Sequence, residues 1–434
     1  MKNTILFLFL SICIAGCSGN KETGGKIPVI DVVNAVEHYK RVYCSDLFSS
    51  IELIPLETKE ECLINERYTV VLNDSVIVVR SLPGVGGGMF MIGPGSFSNL
   101  CAFDRSGKFL NPIGRKGQGP EEYISIGDPF FNTDQPTLFV EDIGKVIEYD
   151  YKGHFIRSFK RLLNDTLRLE NYDYTGDEIF VANAAYNGKN TYKYCLLDRN
   201  GDIIKTFPNY IFYNKEQKFA SFAEGALTPV RGDDQLFLKD YINDTIYSLS
   251  NLELKPAFVF GFGKYSYPME YMEKINMTNP IPDNAFIFWG NYDGFVGAPN
   301  YFFYQLRIPK KFTGPKSKPV YSDILGADVN VDRYIYGIFN IAKHTNILLD
   351  TEPFNFQKGI INDLNGGLSF IPKYYAGNNE VIDFWNPADM KKLLTDQYFA
   401  SLKIKDPQAH QKLKELLKNL KDDDNPVVVV AKLK

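Results

Sequence analysis

The densest group of chemically active side chains in the sequence is residues 114–123, which read GRKGQGPEEY. A glycine-rich loop can bind phosphate when its N–H groups converge at a helix N-terminus, but no helix is predicted after this segment. One interpretation is a rim loop that presents its charges and an aromatic ring to a ligand through Arg115, Lys116, Glu121, Glu122 and Tyr123. The alternative is a structural turn between two sheets, whose path is fixed by glycine and proline.

The sequence lacks the common local patterns of metal-binding and catalytic sites. The chain has four histidines, and none has a histidine or cysteine neighbour at the spacing of metal ligands. No G-x-S-x-G, H-E-x-x-H or EF-hand pattern occurs. The sequence therefore predicts no metal and no cofactor. Catalytic groups can also be distant in sequence, so an enzyme is disfavoured but not excluded.

Aromatic residues are abundant, with 33 Phe, 27 Tyr and 2 Trp. Most are expected in the core of β-sheets, where aromatic side chains are favoured. Trp289 and Trp385 stand beside loop residues and are predicted to form exposed platforms for a sugar or a peptide.

The elements that position these residues repeat along the chain. An Asp-x-x-Gly pair flanked by apolar runs occurs at Asp104/Gly107, Asp150/Gly153 and Asp198/Gly201, at intervals of 46 and 48 residues. Each copy predicts a β-hairpin in which Asp accepts hydrogen bonds from its own backbone and Gly takes positive φ.

Two further segments extend the repeat. Residues 244–260 keep the strands without Asp and Gly, and residues 301–323 are interpreted as a fifth hairpin with a longer loop. A period of 40–50 residues with several strands is typical of β-propellers. Six units of about 48 residues fit between residues 65 and 375. We predict an all-β, six-bladed β-propeller.

Both chain ends of this ring carry strong strand signals. Residues 51–57 and 427–433 are expected to pair or pack near each other and close the ring. Asp406-Pro407 predicts a helix with an apolar stripe at Leu413, Leu416, Leu417 and Leu420, and Asn386-Pro387 predicts a shorter helix. Packing against the propeller is favoured over a membrane-surface helix, because the stripe is narrow.

The N-terminus has the pattern of an export signal. Residues 5–14 are apolar but too few to span a bilayer, and small residues precede Cys17. This junction resembles the lipobox of bacterial lipoproteins, in which the signal is removed and the cysteine is acylated; an ordinary signal peptide is the alternative. We predict a signal peptide (1–16), a lipidated tether (17–26) and a propeller domain (27–434). A lipid on Cys17 would anchor the protein to a membrane.

Four cysteines remain beyond the predicted anchor: Cys44, Cys62, Cys101 and Cys195. An exported protein permits disulfides. Cys44 and Cys62 flank one predicted strand and are the favoured pair if any forms; four buried free thiols are the alternative. Short Asp-(Ser/Thr)-aliphatic segments at Ser75, Thr166 and Thr245 resemble O-glycosylation acceptors of Bacteroidetes.

The combination of segments is similar to one protein family. Residues 51–58 (IELIPLET), 114–123, 243–249 (NDTIYSL) and 424–434 (DNPVVVVAKLK) resemble the six-bladed β-propeller lipoproteins of Bacteroidetes. The resemblance implies an NHL-like propeller and a lipid-anchored location in the cell envelope, at the outer membrane, on either its periplasmic or its surface side. It implies no established activity.

Three functions remain after these observations. The formal net charge of −4 argues against a nucleic-acid partner. The favoured function is a membrane-anchored binding or scaffolding module for a glycan, a peptide or an envelope protein. One alternative is a lyase or hydrolase that acts on glycans or peptides at the mouth of the channel, which requires polar groups that converge there. The other is a purely structural envelope component.

Overall fold

The β-branched and aromatic runs of the sequence form strands arranged in a ring. The structure is a computed structural model that describes residues 26–65, 67–82, 99–162, 167, 169–184, 188–213, 230–231, 236–239, 242–271, 282–288, 294–312, 320–322, 327–329, 334–350 and 359–434. Six sheets of four or five strands follow one another along the chain. The predicted six-bladed β-propeller is confirmed.

The first three blades are antiparallel sheets whose strands pair in chain order. Blade one contains β3 (Arg67–Leu72), β4 (Ile77–Leu82), β5 (Asn99–Phe103) and β6 (Phe109–Pro112). Blade two contains β7 (Pro129–Phe131), β8 (Thr137–Glu141), β9 (Lys145–Asp150) and β10 (Phe155–Lys160). Blade three contains β11 (Leu169–Gly176), β12 (Ile179–Ala184), β13 (Tyr192–Leu197) and β14 (Ile203–Pro208).

The other three blades receive additional segments. Blade four contains β15 (Val230–Arg231), β16 (Leu236–Lys239), β17 (Thr245–Ser250) and β18 (Glu253–Gly261), and β1 (Val29–Asp31) pairs in parallel with β18. Blade five contains β19 (Ile287–Phe288), β20 (Phe295–Ala298), β21 (Tyr301–Arg307), β24 (Tyr334–Asn340) and β25 (Thr345–Leu348), with a separate hairpin of β22 (Val320–Ser322) and β23 (Ala327–Val329). Blade six contains β26 (Tyr374–Gly377), β27 (Glu380–Trp385), β28 (Val427–Leu433) and β2 (Phe48–Pro55).

The first strands of the blades lie at the centre of the ring. Strand β26 contacts β3 and β20, and β7 contacts β11, so these strands surround the central axis. Because successive strands alternate in direction, the fourth strands end, and the next first strands begin, on one face of the ring. We call this the front face, and the opposite side the back face.

The three Asp-x-x-Gly segments form the hairpins between third and fourth strands on the back face, as predicted. Gly107, Gly153 and Gly201 have φ of 88°, 84° and 83°. The Asp198 carboxylate accepts hydrogen bonds from the N–H groups of Asn200 and Asp202 at 2.8 and 2.9 Å. These backbone donors lower the pKa of Asp198, so the ionised form stabilises the turn.

The expected fifth hairpin within residues 301–323 is wrong. Strand β21 pairs with β20 and β24, and residues 320–322 pair with 327–329 in the separate hairpin. The hairpin between the third and fourth strands of blade five is instead β24–β25. The long insertion after β21 displaces the third strand beyond the interval that the earlier copies predict.

The two chain ends close the ring in blade six, as predicted. The closing strand β28 lies between β2 and β27, with Leu53 opposite Val429 and Asp383 opposite Val429 on the other side. Before it reaches β2, the chain adds β1 to blade four and forms parallel bridges from Lys40 to Leu349 and from Tyr43 to Ile361. The N-terminal segment therefore joins three consecutive blades.

Helices occupy mainly the connection between β27 and β28. They are α2 (Pro387–Leu393), α3 (Asp396–Ala400) and α4 (Pro407–Asn419); the short α1 (Cys44–Leu47) precedes β2. The Asp406 side chain accepts from the Ala409 N–H, and Leu413 and Leu420 pack with Trp385 and Val429. The predicted packing of this helix against the propeller is confirmed. Short 3-10 segments occupy Ala35–Glu37, Glu60–Cys62, Gly263–Tyr265 and Lys310–Phe312.

The four cysteines of the described domain are buried free thiols, so the favoured Cys44–Cys62 pair is not formed. Cys44 packs in the apolar core of blade six, whereas Cys62 lies in the core that blade six shares with blade one. Burial raises the pKa of Cys101 and of Cys195 to about 12, which keeps both thiols protonated and unreactive near neutral pH. Across the described part of the chain, no helix has the length and apolar character needed to cross a bilayer.

Candidate functional site

The segment that the sequence singled out is the connection from blade one to blade two, on the front face. Residues 113–128 follow β6 and lead into β7. The Tyr123 N–H donates to the Arg115 carbonyl at 3.1 Å, and the Gly117 N–H donates to the Tyr123 carbonyl at 2.9 Å. The segment thus closes on itself as a compact loop.

Glu122 holds the interior of this loop. Its carboxylate accepts from the Gly119 N–H at 2.9 Å and forms an ion pair with the Arg115 guanidinium at 2.7 Å. The Gly119 N–H, assisted by Arg115, lowers the pKa of Glu122. A Cβ at position 117 would stand 1.8 Å from a Glu122 carboxylate oxygen, so a larger residue there would displace the Glu122 side chain from its present position.

Side chains of blade two donate hydrogen bonds to backbone carbonyls of this loop. The Tyr149 hydroxyl donates to the Glu121 carbonyl at 2.8 Å, and the Lys145 ammonium donates to the Pro120 carbonyl at 2.8 Å. Tyr123 is buried, and burial raises its pKa to about 12. The expectation that the Tyr123 ring is displayed to a ligand is therefore wrong, and its side chain packs in the core between blades one and two.

The outer surface of this connection and of the adjoining β8–β9 turn carries charged and apolar side chains. The Arg115 side chain is 78% exposed, and Lys116 and Glu121 are also exposed. Ile124 and Ile143 are 47% and 56% exposed. The Asp142 carboxylate joins their two segments, because it accepts from the N–H groups of Ile124 and Ser125 at 3.1 and 2.8 Å. We call Arg115, Lys116, Glu121, Ile124 and Ile143 the rim patch.

Beneath the rim patch, buried charges join blades one and two. The Arg80 guanidinium on β4 forms an ion pair with Asp128 at 3.0 Å and donates to the Ile126 carbonyl at 3.0 Å. The Thr69 hydroxyl on β3 donates to the same Asp128 oxygen at 2.6 Å. Asp128 immediately precedes β7, so this contact lies where a central strand begins on the front face.

A second buried ion pair lies where blade two contacts blade three. The Glu141 carboxylate at the end of β8 pairs with Arg161 at 3.0 Å and accepts from the Tyr172 N–H on β11 at 2.6 Å. Burial raises the pKa of Glu141 to about 7, although Arg161 opposes the shift. Glu170 and Asp128 raise it further through like charge. We call these residues the inter-blade cluster: Thr69, Arg80, Asp128, Glu141, Arg161 and Glu170.

Sequence reasoning missed the inter-blade cluster. Arg80 stands within the apolar run IVVRS and Glu141 ends the apolar run TLFVE, and a charge inside such a run is a signal of a buried ion pair. Arg80 and Asp128 are 48 residues apart and meet where blades one and two pack together. Glu141 and Arg161 are 20 residues apart and meet through the sheet of blade two. Within the residues that the structure describes, no three His, Cys, Asp or Glu side chains form a potential metal site.

The remaining predicted site residues lie elsewhere. Trp385 is only 4% exposed, and its indole N–H donates to the buried Asp383 carboxylate at 3.1 Å. Its expected role as an exposed platform is therefore wrong: the strand end that it occupies is covered by the helices between β27 and β28. Trp289, Cys17 and Thr166 lie outside the described residues. Ser75 is exposed in the turn between β3 and β4.

One solved structure supports the fold. The structure is similar to that of a presumed exported protein from Bacteroides fragilis, with a TM-score of 0.59 and 16% identity over 94% of this chain and 99% of that chain. A member of the DUF4221 family from Bacteroides vulgatus aligns with a TM-score of 0.45 and 12% identity over 89% of this chain and 97% of that chain. No curated protein matches the sequence.

A family model matches residues 27–432 and therefore spans nearly all of the propeller. The chain belongs to the family described as a domain of unknown function, DUF4934.

Proposed function

We propose that this protein is an exported, lipid-anchored binding module whose rim patch recognises a polypeptide segment of another envelope component. The observation that carries the proposal is the rim patch itself. Two exposed isoleucines, Ile124 and Ile143, adjoin exposed charges of both signs on a loop with fixed backbone geometry. An apolar centre within a charged border is the composition of a protein-binding surface.

The available side chains favour a polypeptide over a glycan. Sugar rings are commonly bound by stacking on exposed aromatic faces. Tyr123 within the connection and Tyr149, which contacts it, are both buried, and Trp385 is buried in blade six. Aliphatic side chains flanked by Arg115 and Glu121 suit the apolar and charged side chains of a peptide.

The rigidity of the loop supports recognition. Glu122, Lys145, Tyr149 and Asp142 each tie a backbone group of the connection in place. The backbone that carries the exposed side chains is therefore ordered before a partner arrives, which lowers the ordering cost of binding.

The proposed location follows from the N-terminal segment. The export signal and lipobox-like junction before Cys17 support cleavage, acylation and attachment at the outer membrane, and the presumed export of the Bacteroides fragilis relative is consistent with this. An NHL-like relationship remains part of the proposal. Mass spectrometry of the purified native protein should find Cys17 as an acylated N-terminus; an unmodified Met1 would contradict the location.

Site-specific photo-cross-linking tests the binding role. A photoreactive amino acid at Ile124 of the full chain should give a discrete cross-linked polypeptide in intact cells. Ile156 offers a matched control, because it is a similarly exposed isoleucine of blade two near the back face. Equal labelling from both positions, or none from Ile124, would count against the rim patch as a binding surface.

A second candidate, a hydrolase or lyase, is favoured by one observation. Glu141 has a pKa of about 7 and lies near Asp128 and Glu170, where two central strands begin on the front face. A carboxyl group with such a pKa can transfer protons near neutral pH. Turnover of an envelope or dietary glycan or peptide by the wild type, lost in Glu141→Gln with retained folding, would favour this candidate.

A further inference from the structure

A second exposed surface lies between blades three and four, away from the rim patch. Tyr210 is 79% exposed and Phe212 is 57% exposed, more than any other large apolar or aromatic side chains among the described residues. They follow β14, the fourth strand of blade three, and so lie on the front face. Large aromatic side chains exposed in this way mark an interaction surface.

The backbone holds these two rings outward. The buried Asn209 amide donates to the carbonyls of Asn190 and Ile211, both at 2.9 Å, and accepts from the Ile211 N–H at 3.1 Å. Tyr213, which is buried, donates its N–H to the Gly188 carbonyl at 3.2 Å. Tyr210 and Phe212 therefore alternate with side chains that face the protein, and their exposure is built into the fold.

The N-terminal segment meets the ring at the neighbouring blade. Strand β1 pairs with Val259, Phe260 and Gly261 at the carboxyl end of β18, the fourth strand of blade four. Because fourth strands of all blades run in the same direction, this end and the Tyr210–Phe212 segment lie toward the same face of adjacent blades. Val29 is also exposed there, and Ile27, which precedes β1 in this parallel pairing, is exposed farther back along β18.

The distance to the proposed lipid anchor is short. Ile27 stands ten positions after Cys17, and ten extended residues span at most about 35 Å. An acylated Cys17 would therefore keep the outer corner of blades three and four close to the bilayer. Exposed Lys189, next to Gly188, adds a cation that suits lipid phosphates.

We propose that Tyr210 and Phe212 insert into the interfacial region of the phospholipid bilayer that holds the lipid anchor. Tyrosine and phenylalanine suit this region, because their rings favour the boundary between headgroups and acyl chains. The contact orients the propeller, with blades one and six directed away from the membrane. This inference rests on the proposed anchoring at Cys17.

The test uses the full chain, isolated in its membrane-processed form and reconstituted in vesicles of phosphatidylethanolamine and phosphatidylglycerol. Phe212→Cys and the control Ile156→Cys are each labelled with an environment-sensitive dye, which is selective because the described native thiols are buried. Vesicles that carry headgroup spin-labelled lipid should quench the dye at position 212 about threefold more strongly than at position 156.

The outcomes separate the two proposals. Flotation with the vesicles together with strong quenching at position 212 supports both. Flotation with equal quenching at the two positions overturns the membrane contact and leaves the anchor intact. Failure of the wild type to float overturns the anchor, and the membrane contact falls with it. As a second variant, Tyr210→Ser with Phe212→Ser in the labelled Ile156→Cys background should leave flotation unchanged and raise quenching at position 156, because the propeller loses its fixed orientation.

Discussion

Blade six and the seam between blades one, two and three join their parts in opposite ways. Blade six is closed by β28, whose residues Val427 to Ala431 are buried between two partner strands. The seam instead contains Arg80–Asp128 and Glu141–Arg161, two largely buried ion pairs. Apolar residues of the same shape would stabilise such an interface at least as well. The comparison indicates that blade six serves stability, whereas the seam serves the shape and position of the front face.

The largest expected effect is that of a charge placed in the closing strand of blade six. Val429 is fully buried and faces the core, whereas Lys432 in the same strand is exposed. Val429→Asp should lower the free energy of unfolding by more than about 4 kcal/mol, because it places a charge without a partner in an apolar core. Lys432→Ser should change it by less than about 0.5 kcal/mol. Urea unfolding followed by circular dichroism measures both; similar costs for the two variants would show that closure does not depend on the core face of β28.

The second prediction concerns the seam and pH. The pKa of Glu141 is about 7 in the folded protein against an ordinary value of 4.5, so the folded state binds the extra proton between these values. Its contribution to stability is complete below pH 4.5 and is lost as pH rises through 7. Glu141→Gln removes this dependence, so its free energy of unfolding relative to wild type should rise by up to about 3 kcal/mol between pH 4.5 and 8.

The control for this pH series is Ile143→Ser, which changes no charge on the same face. Its difference from wild type should be independent of pH. The difference in free energy of unfolding between Glu141→Gln and wild type could also be independent of pH. That result would mean that Arg161 fully stabilises the ionised carboxylate and that the seam carries no electrostatic cost.

Two glycines of blade two differ in how much they depend on the absence of a side chain. Gly153 has φ of 84°, and a Cβ there would stand 2.3 Å from the Pro112 carbonyl oxygen. Gly153→Ala should cost about 2 kcal/mol in unfolding free energy. Gly144 of the same blade has no atom within 4 Å of its Cβ position, so Gly144→Ala should be nearly neutral. Equal melting temperatures for the two variants would contradict the turn argument.

The sequence was sufficient where a local rule sets the structure. The Asp-x-x-Gly turns, the N-caps at Asp406 and Asn386, and the apolar strands 51–57 and 427–433 are each encoded within a few residues. The prediction of a fifth hairpin within residues 301–323 was wrong because an insertion after β21 lengthens the interval between repeats. The predicted exposure of Trp385 was wrong because side chains from residues distant in sequence cover its ring.

The candidate site was predicted only in part. The composition of residues 114–123 marked the loop, and three of its five named residues, Arg115, Lys116 and Glu121, are exposed. The burial of Tyr123 and the internal ion pair of Glu122 depend on how the loop packs on blade two. The inter-blade cluster depends on the ring, which no local pattern encodes.

The central claim, that the rim patch binds a polypeptide without contributing to the ring's stability, is tested most directly by Ile124→Asp. Cross-linking from a photoreactive residue at position 143 and the free energy of unfolding are measured on the same full-length variant. We predict that the cross-linked product falls at least about tenfold, which corresponds to about 1.4 kcal/mol of binding energy, while stability changes by less than about 0.5 kcal/mol. An undiminished product, or its loss only together with unfolding, would contradict the claim.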